Sequence, residues 1–107
     1  MASSAGYLDY ILGQFADTDG ITYRPMMGEF IIYFRGKILG GIYDDRLLVK
    51  PTASARELMP DALLEAPYDG AKPMLLVENV DDPVFLKRLA EAMYDELPAV
   101  KVKKTSR

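Results

Sequence analysis

Residues 23–51 read YRPMMGEFIIYFRGKILGGIYDDRLLVKP, and the fold turns on whether this run of glycines, aromatics and paired charges is a ligand-cradling loop system or a sheet. From Ile21 onward the sequence falls into short β-rich runs divided at Gly28, at Arg35-Gly36-Lys37 and at Asp44-Asp45. Separators this tight suit antiparallel hairpins. Alternation along the second run puts Phe30, Ile32 and Phe34 on one face and Glu29, Ile31, Tyr33 and Arg35 on the other. The first face reads as core and the second as amphipathic. A phosphate-binding loop would need G-x-x-x-x-G-K followed by Ser or Thr, whereas Gly36 to Gly41 reads GKILGG and runs on into Ile42 and Tyr43. The stretch is therefore expected to be a sheet, with Gly40-Gly41 marking a bulge or a close approach by a helix or another backbone.

The rest of the chain frames that sheet. At 107 residues there is room for one domain with one core. Tyr7, Leu8, Ile11, Leu12 and Phe15 recur at helical spacing behind the candidate caps Ser3 and Ser4, with Gly20 as the stop. After Pro51, Thr52 is an N-cap for a short helix that Pro60 closes, and Ser54 with Glu57 forms an alternative capping box. PDALLEAPYDGAKP reads as a turn of helix and a loop, and MLLVE as a buried strand. In the final helix Asp82 caps, Pro83 takes the first helical position, and Phe85, Leu86, Leu89, Ala90, Met93 and Leu97 form the apolar stripe. The expectation is an α+β domain over residues 1–98: helix, four-strand meander, helix, strand, helix, with an antiparallel sheet covered on one face. Residues 99–107 follow as a basic tail.

Composition narrows the function. Half the residues are apolar and the formal charge is −3, which disfavours broad binding to nucleic acid or anionic membrane. Cysteine is absent, so disulfides, thiolate metal sites and cysteine nucleophiles are excluded. Histidine is absent too, removing the commonest general base near neutral pH and the commonest metal ligand. The start, MASSAGYLDYILGQF, lacks a basic n-region and a continuous apolar stretch, so a soluble, cytoplasmic protein is expected.

The carboxylate pairs read as structure. Asp44 and Asp45 converge only within a turn, and Asp82 is used as a cap. Asp17-Thr18-Asp19-Gly20 resembles part of a calcium loop, but the first and twelfth ligand positions fall on Phe15 and Met26, which lack the required oxygens. Serine and threonine hydroxyls have no G-x-S-x-G or S-x-x-K setting. No cofactor, metal site or catalytic residue is expected. The aromatic set Tyr23, Phe30, Tyr33, Phe34 and Tyr43 lacks the consensus of an RNA-recognition sheet, and the tail cations Lys101, Lys103, Lys104 and Arg107 read as solvated.

Three elements carry a family resemblance: MMGE at Met26 to Glu29, GGIYDDRLLVK ending at Lys50, and PYDGAKPM at Pro67 to Met74, supported by SARELMP and the terminal ELP. With these the chain resembles, over nearly its whole length, the N-terminal domain of the TfoX/Sxy family. The resemblance implies a compact α+β fold similar to type III secretion chaperones. It also implies a link to competence regulators, which help a cyclic-AMP-receptor-type transcription activator at a subset of promoters. Those regulators carry a second, helical domain after this one, and this sequence ends at Arg107.

Two functions are therefore carried forward. In one, the domain is a non-catalytic regulatory module that docks a protein partner, or a second copy of itself, through Arg24, Tyr33, Tyr43, Asp44, Asp45 and Arg46. Arg and Tyr suit such a surface because they combine apolar contact area with directed hydrogen bonds. In the other, the sheet and the PYDGAKPM loop enclose a pocket that binds a small molecule, or acts enzymatically on one with a carboxylate and a lysine such as Lys50 or Lys72.

Overall fold

Three consecutive two-residue turns build the sheet. In the computed structural model, which describes residues 3–98, α1 (Ala5–Gln14) leads into β1 (Ile21–Met26), β2 (Glu29–Phe34), β3 (Lys37–Ile42) and β4 (Leu47–Val49). The turn pairs Met27-Gly28, Arg35-Gly36 and Asp44-Asp45 all have positive φ, between 51° and 85°. Two successive left-handed residues define the type I′ turn, whose twist matches that of the flanking strands, so each separator sets an antiparallel register. At the third turn Tyr43 N–H donates to the Arg46 carbonyl and Arg46 N–H to the Tyr43 carbonyl.

The chain continues through α2 (Ala53–Leu58), β5 (Leu64–Glu65), β6 (Met74–Leu76), α3 (Pro83–Met93) and a 3₁₀ turn, Tyr94–Glu96. The strands form one antiparallel sheet in the order β1-β2-β3-β4-β6-β5. The sheet thus has six strands rather than the five expected. The extra one, β5, lies where the sequence suggested a turn of helix and loop, and its two residues become a strand only by pairing with β6. The start of α1 is also as expected, with the Ser4 hydroxyl accepting from Tyr7 N–H. Its end comes earlier, at Gln14, while Gly20 turns the chain into β1 at φ 91°. Thr52 caps α2 and Asp82 caps α3. The tail expected over residues 99–107 lies outside the described residues.

All three helices bury their stripes against one face of the sheet. Leu8, Ile11 and Phe15 of the α1 segment, Ala55 of α2 and Leu86, Leu89 and Met93 of α3 share a core with Ile32, Phe34, Ile42 and Val49. Burial of this continuous apolar layer is the main stabilising term. Between β2 and β3 the register shifts: Ile32 pairs with Gly40 but Tyr33 pairs with Ile38. Leu39 is thus an extra, bulged residue, and it is buried in the same core.

The outer edge of the sheet is guarded against further pairing. Among the described residues β1 pairs only with β2. Because Met26 and Glu29 flank a two-residue turn, they exchange hydrogen bonds, and alternate residues Pro25 and Tyr23 face away from β2. Proline has no N–H to offer there, a recognised guard against edge-to-edge association.

A second tie joins helix to helix. Glu96 accepts from both the backbone N–H and the hydroxyl of Ser54, clasping the start of α2 to the end of the α3 segment. Those Ser54 hydrogen bonds, with help from Thr52 and Ala53, hold the Glu96 carboxyl below its ordinary pKa. A depressed folded-state pKa means stability that is present above the unfolded value and lost as pH falls through the folded one. Urea midpoints should therefore show wild type ahead of Glu96→Gln at pH 6, with the gap closing below pH 4. A gap that widens on acidification would refute the clasp.

Candidate functional site: the face of the sheet without helices

Pairing fixes which side chains share the second face. Residues directly opposite one another lie on the same side, so Arg24, Ile31, Gly41, Leu48 and Leu76 form one row across five strands. Thr22, Tyr33 and Ile38 form the neighbouring row. Leu48 and Tyr43 are buried on this face, 0% and 7% exposed.

The covering element is the loop between β5 and β6. Pro67, Tyr68, Ala71 and Pro73 face Met26, Ile31, Ile38 and Tyr43 across a groove of about 460 Å³. Gly41 lets the Tyr43 wall of the groove sit close to the sheet: a Cβ there would come within 2.6 Å of the Tyr43 ring and 2.8 Å of the Phe30 carbonyl. The ring thus lies over the glycine and fills part of the space that a side chain would occupy. Burial, then proximity to Tyr68 and Glu29, pushes the Tyr43 phenol above its ordinary pKa. It stays neutral at physiological pH and serves the groove as an apolar wall with one polar tip.

The groove is basic. Lys50 and Lys72 line it, no Asp or Glu does, and this in a chain of net charge −3. Arg24, exposed on β1 in the row of Ile31, has no ion pair among the described residues.

The six residues proposed from sequence divide into two groups. Arg24 and Tyr33 stand on the open part of the face and Tyr43 lines the groove. Asp45 and Arg46 are engaged within the fold through their side chains, whereas Asp44 is held through its backbone N–H and its carboxylate is exposed. Asp45 accepts from Ser4 N–H at 2.8 Å and its own N–H donates to the Ser3 hydroxyl at 3.0 Å. Asp44 N–H donates to Glu29 at 3.1 Å, and Glu29 also accepts from Ser3 N–H at 3.0 Å. The turn thereby clamps the start of α1 to the sheet. The Arg46 guanidinium pairs with Glu65 of β5 and donates to the Tyr43 carbonyl. Its carboxylate partner makes it a cross-sheet strut rather than a free cation. Sequence reasoning did not single out Ile38, Tyr68 or the methionine pair Met26 and Met74 as groove residues. The signal for Met26, Tyr68 and Met74 was their position within the MMGE and PYDGAKPM elements; Ile38 lies in neither.

Among the described residues, no three acidic side chains gather in a metal-binding arrangement, and no helix is long and apolar enough to cross a membrane.

Comparison with known proteins returns a relative from Spirochaeta aurantia, an uncharacterized 12.7 kDa protein in the trpE 5′ region. It is 30% identical over 105 residues, spanning 97% of this chain and 91% of the relative. No family model matches the chain, and no solved structure matches it.

Proposed function

The chain belongs to the same family as the 12.7 kDa Spirochaeta aurantia protein, and from that footing we propose that it is a non-catalytic, cytoplasmic module that modulates transcription by docking a protein partner. The docking surface is the face of the sheet that no helix covers. The observation that carries this reading is an exposed Arg24, with no ion pair among the described residues, in the row next to Tyr33 and beside an apolar groove. Arginine, tyrosine and methionine are the residues enriched in interface cores, and all three meet here. The resemblance to the TfoX/Sxy N-terminal domain supports the regulatory role and a cyclic-AMP-receptor-type activator as partner.

The structure dictates the choice of variant. Arg46→Glu would break the strut to Glu65, so it confounds docking with stability. Arg24→Glu with Tyr33→Lys changes only the open face. Lys87→Glu, exposed on α3, is the control on the helical side. In quantitative capture from the native lysate, wild type and Lys87→Glu should enrich a transcription activator or polymerase subunit. The double variant should lose about tenfold or more, the effect of removing an interface hot spot. Equal capture by all three proteins would overturn the proposal. Concentration-dependent mass abolished by the same variant would replace the partner with a second copy of the chain.

A further inference from the structure

The groove beside Arg24 and Tyr33 has a definite chemistry, and it specifies what kind of segment the partner presents. Its walls are apolar, and the charged residues that line it are of one sign; Glu29, the carboxylate near Tyr43, already accepts from Ser3 and from Asp44 N–H. Lys50 and Lys72 line it with no carboxylate among the lining residues, and Arg24 continues the same sign across the sheet. Cations gathered on one face of a net acidic chain attract a complementary, acidic occupant and repel a basic one.

The spread of the cations decides between a segment and a single small anion. Arg24 is on β1 and Lys50 directly follows β4. Three strand spacings separate them, roughly 14 Å at about 4.8 Å per strand. One carboxylate cannot serve both positions, whereas successive acidic side chains of a peptide can. Pro25 at the exposed position of β1 disfavours addition of the segment as an extra strand, so it would be held by its side chains. Two further features suit a peptide. Met26 and Met74 line the groove with unbranched side chains that adapt to differing apolar groups. Pro51, Pro67 and Pro73 restrict the backbone of the rim, which lowers the entropy lost on binding.

We infer that the groove between the β5–β6 loop and the second sheet face receives an acidic peptide segment of the partner, with an apolar side chain between Tyr68 and Ile31 and carboxylates at Lys50, Lys72 and Arg24. The inference rests on the docking reading above, and its test is separate from it.

The test uses the full chain labelled with ¹³C at its methionine methyls. The probe is a synthetic twelve-residue peptide repeating Asp-Leu-Glu-Phe, and the controls are the same peptide with Lys at every acidic position, and decanoate. The acidic peptide should shift the Met26 and Met74 methyls saturably while Met93, fully buried in the helical core, stays in place. Binding should weaken with added salt and fall about tenfold in Lys50→Glu/Lys72→Glu, as charge complementarity requires. Circular dichroism and the thermal midpoint confirm that this variant is folded. No shift at Met26 and Met74, an equal response to the lysine peptide, or a response to decanoate alone would each overturn the inference. If lysate capture depends on Arg24 and Tyr33 but is indifferent to Lys50→Glu/Lys72→Glu, the docking module stands and the groove inference falls. If the acidic peptide binds the groove but capture ignores Arg24 and Tyr33, the proposed function falls and the groove site stands.

Discussion

Gly40→Ala is expected to cost about 3 kcal/mol or more, the upper end of what overpacking a finished interior does. A Cβ on Gly40 would lie 2.0 Å from the Leu48 carbonyl oxygen, 2.7 Å from Val49 Cα and 2.9 Å from the Leu48 carbonyl carbon. All three are backbone atoms, so no side chain can swing aside. β4 cannot retreat either, because β6 pairs with it on its other flank through Leu48–Leu76 and Val49–Leu75. The crowding lies directly beside the bulge at Leu39, the extra residue in β3. For a domain of this size the loss corresponds to a fall in thermal midpoint of roughly 15 °C. Gly13→Ala is the counter-case. Nothing lies within 4 Å of a Cβ there, its φ is not positive, and it sits in α1. It should gain about 0.5–1 kcal/mol by removing glycine's extra freedom in the unfolded chain. A Gly40→Ala protein that unfolds in urea within about 1 kcal/mol of wild type would mean the two strands do not approach as described.

The contrast between those glycines separates what was legible in the sequence from what was not. Hairpin turns, helix caps and the alternation along β2 are local events, set by residues one to four apart, and they were readable in advance. The pair Gly40-Gly41 could be read as a bulge or a close approach; the close approach is at Gly40, whereas the bulge falls on its neighbour Leu39. β5 could not be read, because Leu64 and Glu65 have no strand signal of their own and acquire one from β6. The same holds for the site. Alternation put Tyr33 and Ile31 on the amphipathic face, but the fates of Arg46 and Asp45 were set by Glu65, nineteen residues away, and Ser4, forty-one away. A charge is legible as a residue type, whereas whether it is spent on the fold depends on which distant partner the topology delivers.

Phe34→Ala should be the most damaging side-chain truncation on β2, at about 4 kcal/mol, while its neighbour Tyr33→Lys should change stability by no more than about 0.5 kcal/mol. The two residues are adjacent and point to opposite faces. Phe34 is fully buried and meets Tyr94 edge-on, ring centroids 5.6 Å apart at 83°. Arg35 caps the Phe34 ring at 4.7 Å, and Lys37 lies 4.1 Å from the Tyr94 ring centre while donating to the Tyr94 carbonyl at 3.1 Å. Removing the phenyl ring opens a cavity at the joint between the β2–β3 hairpin and the end of the α3 segment, and it strips Arg35 of the ring it caps and Tyr94 of its edge-on partner. Phe34→Leu, which keeps most of the apolar volume, should recover about half the loss. Function should sort the other way. Tyr33→Lys should keep the thermal midpoint yet fail to capture the partner, because the half-exposed phenol belongs to the open face. Phe34→Leu, once confirmed folded, should still capture it. Should Tyr33→Lys unfold the domain, or Phe34→Leu lose the partner while remaining native, the division of labour between the two faces would be wrong, and with it the assignment of docking to the face without helices.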